Sequence, residues 1–364
     1  MNRRTFLETS AAAGLAYSSI AITADEVAKG PVQRVALIGS GWYGKIDLFR
    51  LIQVAPVEVV ALCDVSGESL ERVRDRHKEA FPQILDVPVF SDYQEMLAEV
   101  EMDAVEISTP HTLHYEQIMA SLDKDLHVLT EKPMVCTVEH AHEVIARAEE
   151  TGKVLMVSYQ RHLGAQYRYV RNQIMAGELG EIQFVSALQD QKWYLGTMGL
   201  WRQKLSLSGG GQLNDSGSHL LDIMLWMTGL EVAEVQAYIE NFESEVDINS
   251  SLSLRFRNGA LGSIAVVGNS PTGGMWEDIT IWGSKAVVYI RQGELSYKTQ
   301  HSNEVYKVEN LPDSTTPDRN FFDAILGRDE VQVPPVCGLR VIELTEAAWA
   351  SAESGRPVKV KHRK

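Results

Sequence analysis

Arg34-Val35-Ala36-Leu37-Ile38-Gly39-Ser40-Gly41-Trp42-Tyr43-Gly44 is the stretch that decides the fold of the first half of this chain. An apolar β run at 34–38 meets the spacing Gly-x-Gly-x-x-Gly, and a helical stretch follows at 46–54. Three glycines alone say little. Here they stand between a strand and a helix, and a second apolar strand at 57–63 ends on Asp64, 20 residues beyond Gly44. That context predicts a dinucleotide loop. Gly39 permits the tight turn, Gly41 lets backbone N–H groups approach a pyrophosphate, and Gly44 lets helix and strand pack closely. Ser40, Trp42 and Tyr43 complete the loop, and the helix N-terminus offers its positive dipole end to the phosphates. Asp64 can accept hydrogen bonds from the adenosine ribose hydroxyls. Its charge repels a 2′-phosphate, so NAD is expected in preference to NADP.

Working outward, strands and amphipathic helices keep alternating. A charged helix is expected at 68–80, further strands at 103–108, 126–130 and 154–158, and helices at 114–122 and 138–150. Such alternation predicts a parallel sheet joined by right-handed crossovers, a Rossmann dinucleotide-binding domain over 31–158. After about residue 160 the pattern changes. Helices at 166–175 and 218–227 accompany strands at 182–189, 234–239, 251–256, 262–267, 278–282 and 286–290, and a last helix is expected at 339–352. The expectation for 159–364 is an α+β domain on a large, mostly antiparallel open sheet, carrying substrate binding and oligomerisation.

Composition narrows the partners. The chain has 364 residues, 34 Lys and Arg against 49 Asp and Glu, and a formal charge of −15. An acidic surface argues against nucleic acid, whose phosphates need a basic one. The three cysteines, Cys63, Cys136 and Cys337, show no paired spacing, so neither a metal site nor a disulfide framework is expected. Cys63 reads as a small core residue.

The first residues carry a different message. Arg3-Arg4 precedes Phe6-Leu7 and a mildly apolar stretch rich in Ala, Gly and Ser. Residues 1–24 resemble a twin-arginine signal, which exports proteins already folded. Export to the periplasm is the expectation, with a cytoplasmic location as the alternative. The stretch is too short and too polar to span a bilayer.

Three segments carry chemistry. Thr109-Pro110-His111-Thr112-Leu113-His114 follows the fourth strand, where a dinucleotide crosses the sheet edge. Glu131-Lys132-Pro133 follows the next strand, so Lys132 sits at a carboxyl end, where open α/β sheets bind ligands. A lysine there can stabilise negative charge developing on a substrate oxygen. In the third segment Asp215, His219 and Asp222 are spaced to share one helix face, and a histidine near a carboxylate can accept a proton. The same residues also suit a capped helix start, with Asp215 or Ser216 as the cap.

Taken together, the glycine loop, Thr-Pro-x-x-x-His, Glu-Lys-Pro and Asp-x-Gly-x-His-x-x-Asp resemble the glucose–fructose oxidoreductase, inositol dehydrogenase and rhizopine-catabolism family (Gfo/Idh/MocA) over about residues 32 to 360. The resemblance implies that Lys132, Asp215 and His219 hold the family's catalytic positions. It also implies that the loop residues, Asp64, Thr109, Pro110, His111, His114, Glu131 and Lys132 line the cofactor site. His111 departs from the asparagine common there. The function implied is hydride transfer between a sugar or polyol hydroxyl carbon and NAD, in a homo-oligomer. Arg161, Tyr194, Trp201 and Arg202 are candidate sugar contacts, or equally packing residues. Two other readings are a glycosidase acting by transient oxidation on a retained cofactor, and a non-enzymatic dinucleotide sensor.

Overall fold

The computed structural model describes residues 30–362, except 80 and 303. The proposed signal at 1–24 therefore lies outside the described residues. Among these, no helix is long and apolar enough to cross a membrane. The chain forms two compact units.

The first unit comprises the described residues to 160 together with 315–339. Its strands are β1 (Gln33–Ile38), β2 (Val57–Cys63), β3 (Val89–Phe90), β4 (Ala104–Ile107), β5 (His127–Thr130) and β6 (Leu155–Val157). All pair in parallel, in the order β3-β2-β1-β4-β5-β6. This is the expected Rossmann sheet. Helices α1 (Gly44–Val54), α2 (Gly67–His77), α3 (Tyr93–Glu99), α4 (His114–Asp123) and α5 (Val138–Thr151) provide the crossovers. Ser66 caps α2 by accepting from the Ser69 N–H, and Thr137 caps α5 by accepting from His140 N–H. Leu37, Leu48, Leu62, Val73 and Ile84 form one buried cluster between sheet and helices; burying each such side chain stabilises the fold by roughly 1.5–3 kcal/mol. Cys63 belongs to the core as expected, and burial pushes its thiol up to about 12. Because β1 neighbours both β2 and β4, chain order reverses at β1, and the loops after β1 and β4 diverge to leave a crevice at their carboxyl ends.

The second unit comprises 161–314 and the described residues from 340. Its strands are β7 (Ile182–Gln191), β8 (Val232–Glu240), β9 (Asn249–Phe256), β10 (Leu261–Val267), β11 (Met275–Gly283), β12 (Ala286–Arg291), β13 (Glu294–Thr299), β14 (Tyr306–Lys307) and β15 (Val358–Lys359). They form one nine-stranded sheet, antiparallel except for the β7–β10 pair. The strands alternate as a sheet covered on one face must: Leu252, Leu254 and Phe256 of β9 are buried, while Ser251, Ser253 and Arg255 are exposed. Helix α9 (Gly217–Thr228) packs against β7, and α6 (Ala165–Met175) packs against α9. Two short helices lie between them in sequence, α7 (Trp193–Thr197) and α8 (Leu205–Ser208).

One boundary differs from the sequence reading, which assigned all of 159–364 to the second domain. The helix α10 (Pro317–Ile325) packs on α1 and β5, and its Phe321 and Phe322 are fully buried, so 315–339 belongs to the first unit. No short-range pattern announces this return, because the partners of α10 are about 190 to 270 residues away in sequence. The last helix, α11, spans Pro335–Ser354.

Candidate functional site

In the first unit the glycine loop has the backbone that its sequence demands. Gly39 sits at φ +93°, and a Cβ there would lie 2.6 Å from the Ser108 carbonyl. A Cβ on Gly44 would lie 2.0 Å from the Gly39 carbonyl oxygen. Gly41 faces open space, with nothing within 4 Å of where its Cβ would be. Two glycines are thus needed to build the turn, and the middle one leaves its backbone approachable. That is the shape a pyrophosphate requires, and a dinucleotide fits these residues. Asp64 also shapes the loop itself. Its Oδ2 accepts from both the Ser40 N–H (2.8 Å) and the Ser40 hydroxyl (2.9 Å), and its Oδ1 accepts from Ser66 N–H (2.8 Å). The carboxylate that ends β2 therefore holds the loop that follows β1. Trp42 is the exposed member of the loop, with Tyr43 beside it, ring centroids 5.5 Å apart.

The loops after β4 and β5 meet through one histidine. His114 is fully buried at the start of α4, with Nδ1 2.8 Å from the Pro133 carbonyl and Nε2 3.0 Å from the Thr109 carbonyl. Burial lowers the ring's pKa from its usual range, and the Pro133 and Thr109 carbonyls act in the opposite direction. The ring ties the Thr109-Pro110 turn to the Glu131-Lys132-Pro133 turn, whose Lys132–Pro133 peptide is cis. Thr109 is held further by its hydroxyl, which donates to Gln117 Oε1 at 2.6 Å. His111 is buried edge-on to His114, ring centroids 5.9 Å apart. Lys132 is nine-tenths buried, and the preceding carboxylate accepts from its N–H at 3.2 Å.

Beneath these loops lies a feature the sequence did not announce. Asp47 (α1), Glu106 (β4), Glu131 and Asp318 (α10) are four buried carboxyls in one unit, with Arg50 as their nearby cation. Both Glu106 oxygens, Asp47 Oδ2 and Glu131 Oε1 have no hydrogen-bond partner among the described residues. Burial, reinforced by mutual repulsion, pushes Asp47 and Glu106 well above the usual carboxylate range; burial also raises Glu131, and pushes Asp318 up to about 6. Each comes from a different segment of the chain, so only the fold assembles them.

In the second unit the centre is Asp215. Its Oδ2 accepts from the Trp193 indole N–H (2.8 Å) and from Arg202 Nε (3.0 Å), and the guanidinium of Arg202 lies 4.4 Å from the Trp201 ring centroid. Trp193 is buried against Val246 and Ile248, a residue that sequence reasoning passed over because its signal was only an aromatic in an apolar context. Ser216 stands at the N-cap of α9 and makes no side-chain cap hydrogen bond. The Asp215 carbonyl accepts from the Ser218 hydroxyl at 2.7 Å. His219 is half-buried in the first turn of α9. The third acid of the motif, Asp222, serves a different histidine: its Oδ2 is 2.8 Å from His162 Nε2, whose ring stacks near Trp226 at 4.3 Å.

The four sugar-contact candidates divide. Arg202 and, through it, Trp201 join Asp215. Arg161 is buried in an ion pair with Glu277 at 2.6 Å, a carboxylate that also accepts from Tyr167 and Gln189. The Tyr194 hydroxyl donates to the Phe242 carbonyl at 3.1 Å.

A glycine loop at the switch point of a 3-2-1-4-5-6 parallel sheet, followed by a unit built on an open antiparallel sheet, defines a two-domain dinucleotide-binding oxidoreductase. The comparisons make this specific. Residues 33–159 match the oxidoreductase family with an NAD-binding Rossmann fold, and residues 167–289 match the GFO/IDH/MocA C-terminal domain, so the chain belongs to the Gfo/Idh/MocA family. Among curated relatives, D-glucoside 3-dehydrogenase of Escherichia coli (strain K12) is 31% identical over 197 residues, 54% of each chain. An uncharacterised oxidoreductase of Bacillus subtilis (strain 168), YrbE, is 22% identical over 90% of this chain and 96% of its own. Among solved structures, levoglucosan dehydrogenase in complex with NADH has a TM-score of 0.80 at 20% identity, covering 92% of this chain and 100% of its own. The aldose–aldose oxidoreductase from Caulobacter crescentus has a TM-score of 0.79 at 22% identity, covering 90% and 100%. These structural likenesses establish the fold.

Proposed function

We propose that this enzyme oxidises a hydroxyl carbon of a sugar or polyol and uses NAD as the hydride acceptor. The observation that carries the reading is Asp215, a buried carboxylate clamped by Trp193 and Arg202 four residues before the half-buried His219. A carboxylate held this firmly can orient a hydroxyl substrate without reorganising during the reaction. The names of relatives support the substrate class: besides the glucoside dehydrogenase, an inositol 2-dehydrogenase/D-chiro-inositol 3-dehydrogenase of Lactiplantibacillus plantarum is 24% identical over 58% of this chain and 57% of its own.

In this reading His219 takes the hydroxyl proton, and Lys132 stabilises the alkoxide as it forms. Asp215 binds substrate or supports His219. When bound, the dinucleotide accepts the hydride. Asp64 favours NAD because a 2′-phosphate would face its carboxylate. The outer face of the nine-stranded sheet, where Phe184 and Trp282 meet edge-on at 5.6 Å, is the surface we assign to a homo-oligomer. The deciding experiment follows nicotinamide reduction by absorbance across a panel of sugars, polyols and glycosides. Reduction with at least one sugar or polyol is expected; none across the panel would remove the reading.

A further inference from the structure

The second unit contains a cleft that the catalytic assignment does not use. It has a volume of about 470 Å³, within the range of small-molecule sites, and its walls come from α8, the end of β8, the 240–247 turn and α11. On one wall stands Trp349, half-buried, its indole N–H donating to Asp247 Oδ1 at 3.0 Å, so the ring cannot turn. Gly210 lies against it: a Cβ there would come within 2.5 Å of the indole benzo edge. Bare backbone and an anchored aromatic ring thus share a surface that any larger residue would fill. On the rim stand Glu240, Asn241 and Glu245, all exposed. Glu240 Oε1 accepts from Phe242 N–H at 3.0 Å and Glu245 Oε2 from Leu205 N–H at 2.9 Å, which positions each carboxylate and leaves it one further oxygen as acceptor. The lining holds no lysine or arginine.

We propose that this cleft is a second carbohydrate site, which takes the apolar face of a neutral pyranose on Trp349 and its hydroxyl groups on Glu240, Asn241 and Glu245. The aromatic face supplies contact with ring C–H groups, and the acidic rim supplies acceptors for hydroxyl donors. The absence of a cation from the lining disfavours a phosphorylated or acidic sugar. The cleft also reaches the catalytic segment. Asp247, which anchors Trp349, accepts from Gly211 N–H (2.9 Å) and Leu213 N–H (2.7 Å), two backbone groups just ahead of Asp215. A sugar seated on Trp349 therefore stiffens the segment that presents Asp215. This inference does not rest on the dehydrogenase reading, since occupancy is measured without turnover.

The test titrates the full-length protein, without added dinucleotide, with methyl β-D-glucopyranoside and with cellobiose. Tryptophan fluorescence and saturation-transfer NMR report binding. Saturable binding is expected in the wild type and in Asp215→Asn. Trp349→Ala, and independently Leu205→Trp, which fills the rim without touching Asp247, should each weaken it by about tenfold or more. Circular dichroism confirms that each variant is folded. Undiminished affinity when either cleft substitution is combined with Asp215→Asn, binding abolished by Asp215→Asn alone, or the absence of saturable sugar binding would overturn the proposal. A chain that binds sugar at the cleft but reduces no nicotinamide would instead refute the dehydrogenase reading and leave the cleft standing.

Discussion

Replacing Glu106 by Gln should make the protein more stable at alkaline pH while changing it little near pH 5. Glu106 lies in β4 with both carboxylate oxygens buried and without a hydrogen-bond partner among the described residues. Around it are Asp47 from α1, Glu131 after β5 and Asp318 from α10, with Arg50 the cation that opposes their mutual repulsion. All four carboxyls are raised in the folded state. Such groups contribute stability that is fully present below their unfolded value and is lost as pH rises through the folded value. The size can be worked for Asp318, raised from 3.8 to about 6. A rise of about two units corresponds to about 3 kcal/mol, lost between about pH 4 and pH 6. Asp47 and Glu106 are also raised well above the carboxylate range, so they act in the same direction as pH rises. For a domain of this size each kcal/mol moves Tm by roughly 2–4 °C. The wild-type Tm should therefore fall by on the order of 10 °C as pH is raised from about 4 to about 8. Gln keeps the shape of the protonated acid and cannot ionise. Its Tm should match the wild type near pH 5 and exceed it by several degrees near pH 8. Differential scanning calorimetry of both proteins over this range is the assay. Parallel Tm-against-pH curves, or a wild-type Tm that climbs steadily with pH, would refute the reasoning.

Four further outcomes are expected. Asp64→Ala should release the Ser40 anchor and the charge together, weakening NADH binding by calorimetry while narrowing the gap to NADPH; NADPH binding at least as tightly as NADH in the wild type would contradict the role of Asp64. Lys132→Ala and His219→Ala should each lower kcat by about 10²-fold or more with dinucleotide affinity little changed, and near wild-type turnover in either would remove its assigned role. Trp193→Phe deletes the indole N–H that donates to Asp215 and keeps an aromatic side chain, so a loss of kcat of about tenfold is expected with dinucleotide binding intact, equivalent to about 1.4 kcal/mol for a hydrogen bond to a charged group; unaltered kinetics would mean that Asp215 is positioned without it. Changing Arg3-Arg4 to Lys-Lys should retain in the cytoplasm a reporter fused to residues 1–30, and a fusion that stays cytoplasmic with the native arginines would remove the export proposal.

How much of this was legible in the sequence depends on the distance over which each feature is encoded. The glycine loop was fully readable, because the positive φ of Gly39 and the packing of Gly44 against its own loop arise within six residues. Strand alternation made the parallel sheet readable in the same way, and the change of pattern near residue 160 marked the second unit. The Asp215–His219–Asp222 spacing was visible too. Spacing could place Asp222 on a helix, yet it could not show that His162, 60 residues earlier, would be its partner.

Local chemistry, then, is what the sequence by itself determined: the loop, the alternating strands and helices, the basic and acidic residues of the three motifs, and through them the family. Tertiary structure alone decided which of these residues meet. It put Trp193 and Arg202 on Asp215, turned Arg161 inward to Glu277, and returned 315–339 to the first unit. It also gathered Asp47, Glu106 and Asp318 from three elements, and Glu131 from the loop after β5, into one desolvated cluster. The physical reason is that dihedral preference and side-chain periodicity act over a few residues, whereas hydrogen-bond partners and desolvation depend on segments brought together by burial of the whole core.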